Sequence, residues 1–114
     1  MTHEMKLNRA PFGMIESGAK RYELRLFDEK RQKLSAGDRI VFTMADDSER
    51  KLAVRVVALH RFPDFAALYR ALPLKECGYR EDELASASPD DMAAYYSHEE
   101  QSRYGVVAIE VEVI

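Results

Sequence analysis

Gly18-Ala19-Lys20-Arg21-Tyr22-Glu23-Leu24-Arg25 is the stretch whose reading decides the fold. The glycine releases the chain from a short helix, since it takes left-handed backbone without steric cost. Alternation then puts Tyr22, Leu24 and Leu26 on one side of a strand and Arg21, Glu23 and Arg25 on the other. One side is apolar and the other ionic. Such an ionic side can hold a polar or anionic ligand: Arg25 carries a planar guanidinium fork, and Glu23 accepts hydrogen bonds or moves a proton. The plainer reading is a solvated strand face with a cross-strand ion pair.

Upstream, residues 4–7 form a short first strand, and Asn8-Arg9-Ala10-Pro11 breaks it. Pro11 suits the first turn of a helix running through Phe12, Met14 and Ile15 to Ser17. Downstream, residues 27–34 are dense in charge and read as exposed loop. Ile40, Phe42 and Met44 share one face of the next strand, residues 45–50 form a polar hairpin loop, and residues 51–62 are a long β-rich run. In that run Leu52, Val54, Val56 and Ala58 alternate with Ala53, Arg55 and Val57. Arg55, alone among valines, needs a sheet edge or a carboxylate such as Glu23 or Glu110.

Asp64 caps a helix whose Phe65, Leu68, Tyr69 and Leu72 fall at core spacing. Residues 74–87 carry no firm assignment. Ser88-Pro89-Asp90-Asp91 and Ser97-His98-Glu99-Glu100 both have the capping-box pattern, the first opening a helix with Met92, Tyr95 and Tyr96. After Gly105 comes a closing strand with Val107, Ile109, Val111 and Val113 inward. Five or six strands with a few short helices imply an α+β fold, a small mixed β-barrel or sheet.

The 114 residues are the size of one domain spanning 1–114, and 46% hydrophobic with 32% charged residues is an ordinary globular balance. No apolar run approaches the ~20 residues a membrane span needs, and the amino terminus lacks a signal-peptide core, so the chain reads as cytoplasmic with no membrane partner. A single cysteine, Cys77, agrees with a reducing compartment. Net charge is −3, yet residues 1–44 hold nine Lys/Arg against six Asp/Glu, and residues 76–104 two against eight. That polarity permits an anionic ligand near the first strands.

His3, His60 and His98 lack zinc-ligand spacing, so neither metal nor cofactor is expected. There is no Walker loop, no Gly-x-Gly-x-x-Gly and no Gly-x-Ser-x-Gly elbow. Cys77 sits among carboxylates that would raise its thiol pKa, which makes it a poor nucleophile. What remains is Lys20, Glu23 and Arg25, with the pair Tyr95 and Tyr96 before Ser97. Of two consecutive tyrosines on an amphipathic helix, one packs inward and one lies at the surface. Tyrosine faces stack on bases and arginine holds phosphate, a combination suited to single-stranded RNA or a nucleoside. The same tyrosines also serve as core or rim.

Taken together these stretches resemble the ASCH (activating signal cointegrator homology) family, small domains similar to the PUA domain of RNA-modifying enzymes. The resemblance rests on the Pro11-Phe12 helix, Ser17-Gly18-x-Lys20-x-x-Glu23-x-Arg25, Lys33-Leu34-x-x-Gly37-Asp38-x-Ile40-x-Phe42, the valine strand with its Phe65 helix, Tyr95-Tyr96-Ser97, and Gly105-Val106-Val107-Ala108-Ile109. It implies a PUA-like β-barrel with helices over one end and a cleft for single-stranded RNA or a nucleoside or nucleotide ligand. Lys20, Glu23 and Arg25 would line that cleft, with Tyr96 and Ser97 at its rim.

Some bacterial members of the family are amidohydrolases acting on 4-N-acetylcytidine, with a lysine followed three residues later by a threonine nucleophile. Here Lys20 matches and Glu23 stands at the threonine position, where a carboxylate cannot replace a hydroxyl. Another branch resembles ribonucleases, for which Lys20 and Arg25 would stabilise a pentacoordinate phosphate and Glu23 act as base. The expectations are therefore a ligand-binding cleft first, an enzyme using Lys20 and Glu23 second, and third an interaction module whose acidic late segment meets a basic partner.

Overall fold

Five β-prone runs pair into one mixed sheet in the computed structural model, which describes residues 1–114. The strands are β1 (Thr2–Leu7), β2 (Tyr22–Leu26), β3 (Arg39–Met44), β4 (Asp47–Phe62) and β5 (Val106–Val113). Their spatial order is β1-β3-β4-β5-β2, with β1 parallel to β3 and the remaining neighbours antiparallel. The sheet curls into a barrel-like α+β arrangement under short helices. The first two strands of the chain, β1 and β2, become the two free edges.

One face of the sheet carries the larger apolar cluster, which includes Ile40, Phe42, Val54, Val56, Val107 and Ile109. Helix α1 (Arg9–Ser17) adds Phe12 and Ile15 to it and ends at Gly18, whose φ of 87° is the left-handed stop expected of it. The other face packs Leu24, Leu26, Val106 and Ala108 against α2 (Phe65–Ala71), which contributes Phe65, Leu68 and Tyr69. Asp64 caps α2, its Oδ1 accepting from the Ala67 amide at 2.9 Å.

Several local expectations change. The polar loop shrinks to a two-residue turn, Ala45-Asp46, because residues 47–50 extend β4. A bulge between Val56 and Ala58 exposes Val57 and reverses the faces beyond it, so Leu59 packs on the core in place of Ala58. Val113 is exposed at the end of β5, whereas Val106 and Ala108 are fully buried, so the strand is covered on both faces. Arg55 pairs with its cross-strand neighbour Glu112 and with neither Glu23 nor Glu110. Glu110 is held by Arg21 at 3.1 Å and His60 at 2.9 Å.

The unassigned region forms 3-10 turns at Leu74–Cys77 and Glu81–Ser86, followed by Pro89–Ala94 on the Ser88 capping box. That last turn stops short of the tyrosine pair. The second capping box opens α3 (His98–Tyr104). No helix is long and apolar enough to cross a membrane.

Candidate functional site

Strand β2 places its charges where water is scarce. Glu23 lies opposite Ile109 and Arg25 opposite Val107, two residues of zero exposure, so the ionic side of β2 faces the sheet's core. A solvated strand face is therefore ruled out for this register. Glu23 is 4% exposed. Lys20 Nζ stands 3.0 Å from its Oε1, and Arg25 Nε donates to its Oε2 at 2.8 Å. Burial pushes the carboxyl's pKa up, but the two cations together outweigh it and hold the group below its ordinary range. Glu23 is ionised at neutral pH.

The trio sits at the seam between the sheet's edges. β1 and β2 do not pair with each other, and Arg25 crosses the gap, Nη2 donating to the Lys6 carbonyl at 2.8 Å. Lys20 is fixed by its own backbone: its amide donates to Met14 O at 3.0 Å, and the next amide, of Arg21, to Glu76 O at 2.8 Å. Its side chain runs over Gly78, where φ is +109° and an added Cβ would lie 3.2 Å from Lys20 Cδ. Only glycine suits both that backbone and that approach.

Above the trio opens a cleft of about 940 Å³. Two cations against one carboxylate leave its floor with one net positive charge, since Lys20 and Arg25 give +2 and Glu23 gives −1. Donors are also left over: Lys20 gives one of three N–H groups to Glu23, and Arg25 Nη1 has no protein partner.

Tyr69, Tyr79, Asp91, Tyr95 and Tyr96 form part of the walls. The Tyr69 and Tyr79 hydroxyls are 2.6 Å apart, and the Tyr79 hydroxyl donates to Asp91 Oδ2 at 2.7 Å. Tyr96 stacks on Phe65 with centroids 5.9 Å apart, so one face of its ring is already covered. Tyr95 is 69% exposed, the surface member of the pair. Cys77 also lines the cleft, but burial, helped by Glu76 and opposed by Lys20, pushes its thiol pKa up to about 11.

Lys20, Glu23, Arg25 and Tyr96 all border this one cleft. Ser97 does not join them: its hydroxyl accepts from the Glu100 amide at 3.1 Å and donates to Glu100 Oε1 at 3.3 Å, and it is not part of the cleft lining. Gly78, Tyr69, Tyr79 and Asp91 were missed. Tyr69 lay hidden in a stripe that reads as pure core, and Asp91 in a pattern that reads as a cap. Gln101, 5% exposed, was missed too; it accepts from the Phe65 amide at 3.2 Å and donates to Tyr96 O at 3.3 Å, which fixes the stacked tyrosine to α2. No three His, Cys, Asp or Glu side chains converge as a metal-binding group.

The ASCH domain family model matches residues 5–114. The chain belongs to the ASCH domain family. This ASCH chain is similar over its whole length to the hypothetical protein PH0355, whose crystal structure shares 30% identity with a TM-score of 0.82 and is itself covered in full. Protein PF0455 from Pyrococcus furiosus, solved by NMR, is also 30% identical, with a TM-score of 0.71, 100% of this chain and 98% of that one being covered. The ASCH domain from Lactobacillus crispatus JV V101 shares the fold at 15% identity and a TM-score of 0.60, over 98% of this chain and 79% of that one. No curated protein matches the chain.

Proposed function

We propose that this ASCH domain binds RNA or a nucleotide-like ligand in the cleft over Lys20, Glu23 and Arg25. The observation that carries the reading is the buried Glu23 carboxylate clamped by two cations whose surplus charge and unspent N–H donors border the open cleft. A phosphate or carbonyl oxygen satisfies those donors, and the exposed ring of Tyr95 offers a stacking face beside them.

Binding is favoured over turnover by the state of Glu23. A carboxylate held below its usual pKa by two cations is a weak proton acceptor at neutral pH, and both of its oxygens are occupied. The interaction-module reading loses ground because much of the acidic segment is spent internally: Glu81 on Lys75, Glu83 on Arg80, Asp91 on Tyr79, Glu100 on Ser97.

Calorimetric titration with a single-stranded RNA oligomer and with nucleosides and their 5′-monophosphates tests the proposal. The expected result is preference for the phosphorylated member, a salt slope of about −0.7 per phosphate contacted, and loss of binding in Lys20→Met. Absence of binding by oligomer and monomers alike at millimolar concentration overturns it. Turnover of RNA or acetylcytidine that is lost in a folded Glu23→Gln variant would replace it with the enzymatic reading.

A further inference from the structure

We propose that Tyr69, Tyr79 and Asp91 form a one-way hydrogen-bond chain that makes this wall of the cleft an acceptor, selecting ligands that present an amino N–H to it. The inference rests on the nucleotide reading above and deepens it. The floor donates and the wall accepts, so the preferred ligand carries an anionic or carbonyl group toward Lys20 and Arg25 and an exocyclic amine toward Tyr69.

The polarity follows from proton bookkeeping. An ionised Asp91 has no proton to give, and its Oδ2 receives the Ser88 amide at 3.2 Å and the Tyr79 hydroxyl at 2.7 Å. That contact commits the single proton of Tyr79 to Asp91. At 2.6 Å the neighbouring oxygens of Tyr79 and Tyr69 must share a proton, and only Tyr69 has one left to offer. Tyr69 therefore faces any remaining partner with lone pairs alone, and it has no second partner in the protein.

The order needs both phenols protonated and the acid ionised. Burial raises both phenols, and the hydrogen bond from Tyr79 lowers Asp91, so the phenols stay protonated and the acid ionised across the neutral range. The rings meet edge to face, 5.8 Å apart at 82°, an arrangement that sets the two hydroxyls side by side. The chain joins α2, the segment after Gly78 and the 3-10 turn at Pro89–Ala94. A purely structural tie between these elements would leave no mark on ligand choice.

Two matched pairs of probes read the difference, cytidine against uridine 5′-monophosphate and adenosine against inosine 5′-monophosphate, each pair exchanging an exocyclic amine for a carbonyl. Equilibrium dialysis against wild type should show the amino member of a bound pair favoured by about tenfold or more. In Tyr79→Phe the Tyr69 proton loses its acceptor and turns to the ligand, so the preference should invert toward the carbonyl member. Tyr69→Phe removes the reader, and the ratio should fall to near one. A wild-type ratio within twofold of one, or an unchanged ratio in both variants, overturns the proposal while leaving nucleotide binding intact. Failure of all four nucleotides to bind wild type overturns the nucleotide reading and takes this proposal with it. Should Tyr79→Phe not fold, the wild-type and Tyr69→Phe ratios decide alone.

Discussion

Replacing Glu23 by glutamine perturbs the buried charges with almost no change of shape. The carboxylate is 4% exposed, and its two cations, Lys20 and Arg25, have side chains only 11% and 16% exposed. Glutamine leaves those cations together without a counterion. Removing one partner of a buried ion pair costs about 3–5 kcal/mol, and partial access of water to both cations places Glu23→Gln near the lower bound, about 3 kcal/mol. An unfolding entropy of about 2.1 cal/mol/K per residue gives roughly 240 cal/mol/K for 114 residues, so Tm should fall by about 12 °C at pH 7.

Lys20→Met should cost less, about 1 kcal/mol, because Glu23 keeps Arg25 as partner. The pH dependence has a definite sign. The folded pKa of Glu23 is depressed below the reference 4.5, so its contribution is fully present above that value and is lost as pH falls through the folded pKa. The gap between wild type and Glu23→Gln should thus be constant from pH 7 to pH 5 and close below about pH 4.5. Calorimetric melts of the three proteins across that range supply the numbers. A Glu23→Gln variant melting within about 3 °C of wild type, or a Lys20→Met variant melting lower than Glu23→Gln, would refute the reasoning.

Three further outcomes are expected. Gly78→Ala should cost about 1–2 kcal/mol in urea unfolding, because φ there is +109°, and should also weaken nucleotide binding, because the new Cβ crowds Lys20 Cδ at 3.2 Å. Gln101→Leu strands the buried amide of Phe65 and should cost about 2 kcal/mol, with faster hydrogen exchange at that amide as the local signature. Cys77, raised from 9.0 to about 11, should react with iodoacetamide at pH 8 about a hundredfold more slowly folded than unfolded, a ratio read from timed quenching and mass spectrometry.

Much of the fold was legible because short-range rules govern it. Period-two alternation located β3, β4 and β5, Gly18 ended α1, and Asp64, Ser88 and Ser97 marked the starts of the turns they cap. What alternation cannot give is which side of a strand looks at the core. The pattern of β2 separates Glu23 and Arg25 from Leu24 and Leu26 correctly, yet the charged side is the one opposite Val107 and Ile109. Only the pairing of β2 with β5, more than eighty residues away in the sequence, decides that. Separation in sequence also hides Gly78, which meets the Lys20 side chain through a chain crossing that leaves no local periodicity. The partner of Arg55 fell in the same gap, since cross-strand register and not residue type selects Glu112. Val57 shows the remaining failure: a bulge adds one residue and inverts a face without altering the run of β-prone side chains.

Stability alone does not account for the trio at the seam. A buried ion pair is commonly neutral or worse against apolar side chains of similar volume, and here the strand positions in question pair with valine and isoleucine. A sheet seeking only cohesion would carry aliphatic residues at 23 and 25 and close the gap between β1 and β2. Instead the seam stays open, one arginine spans it to Lys6 O, and the cations outnumber the carboxylate. An unpaired positive charge at low exposure is costly until an anion or a strong acceptor arrives. That asymmetry supports the binding reading from energetics, independently of family resemblance: an anion or strong acceptor in the cleft would meet the positive charge that the protein's own carboxylate leaves unmatched.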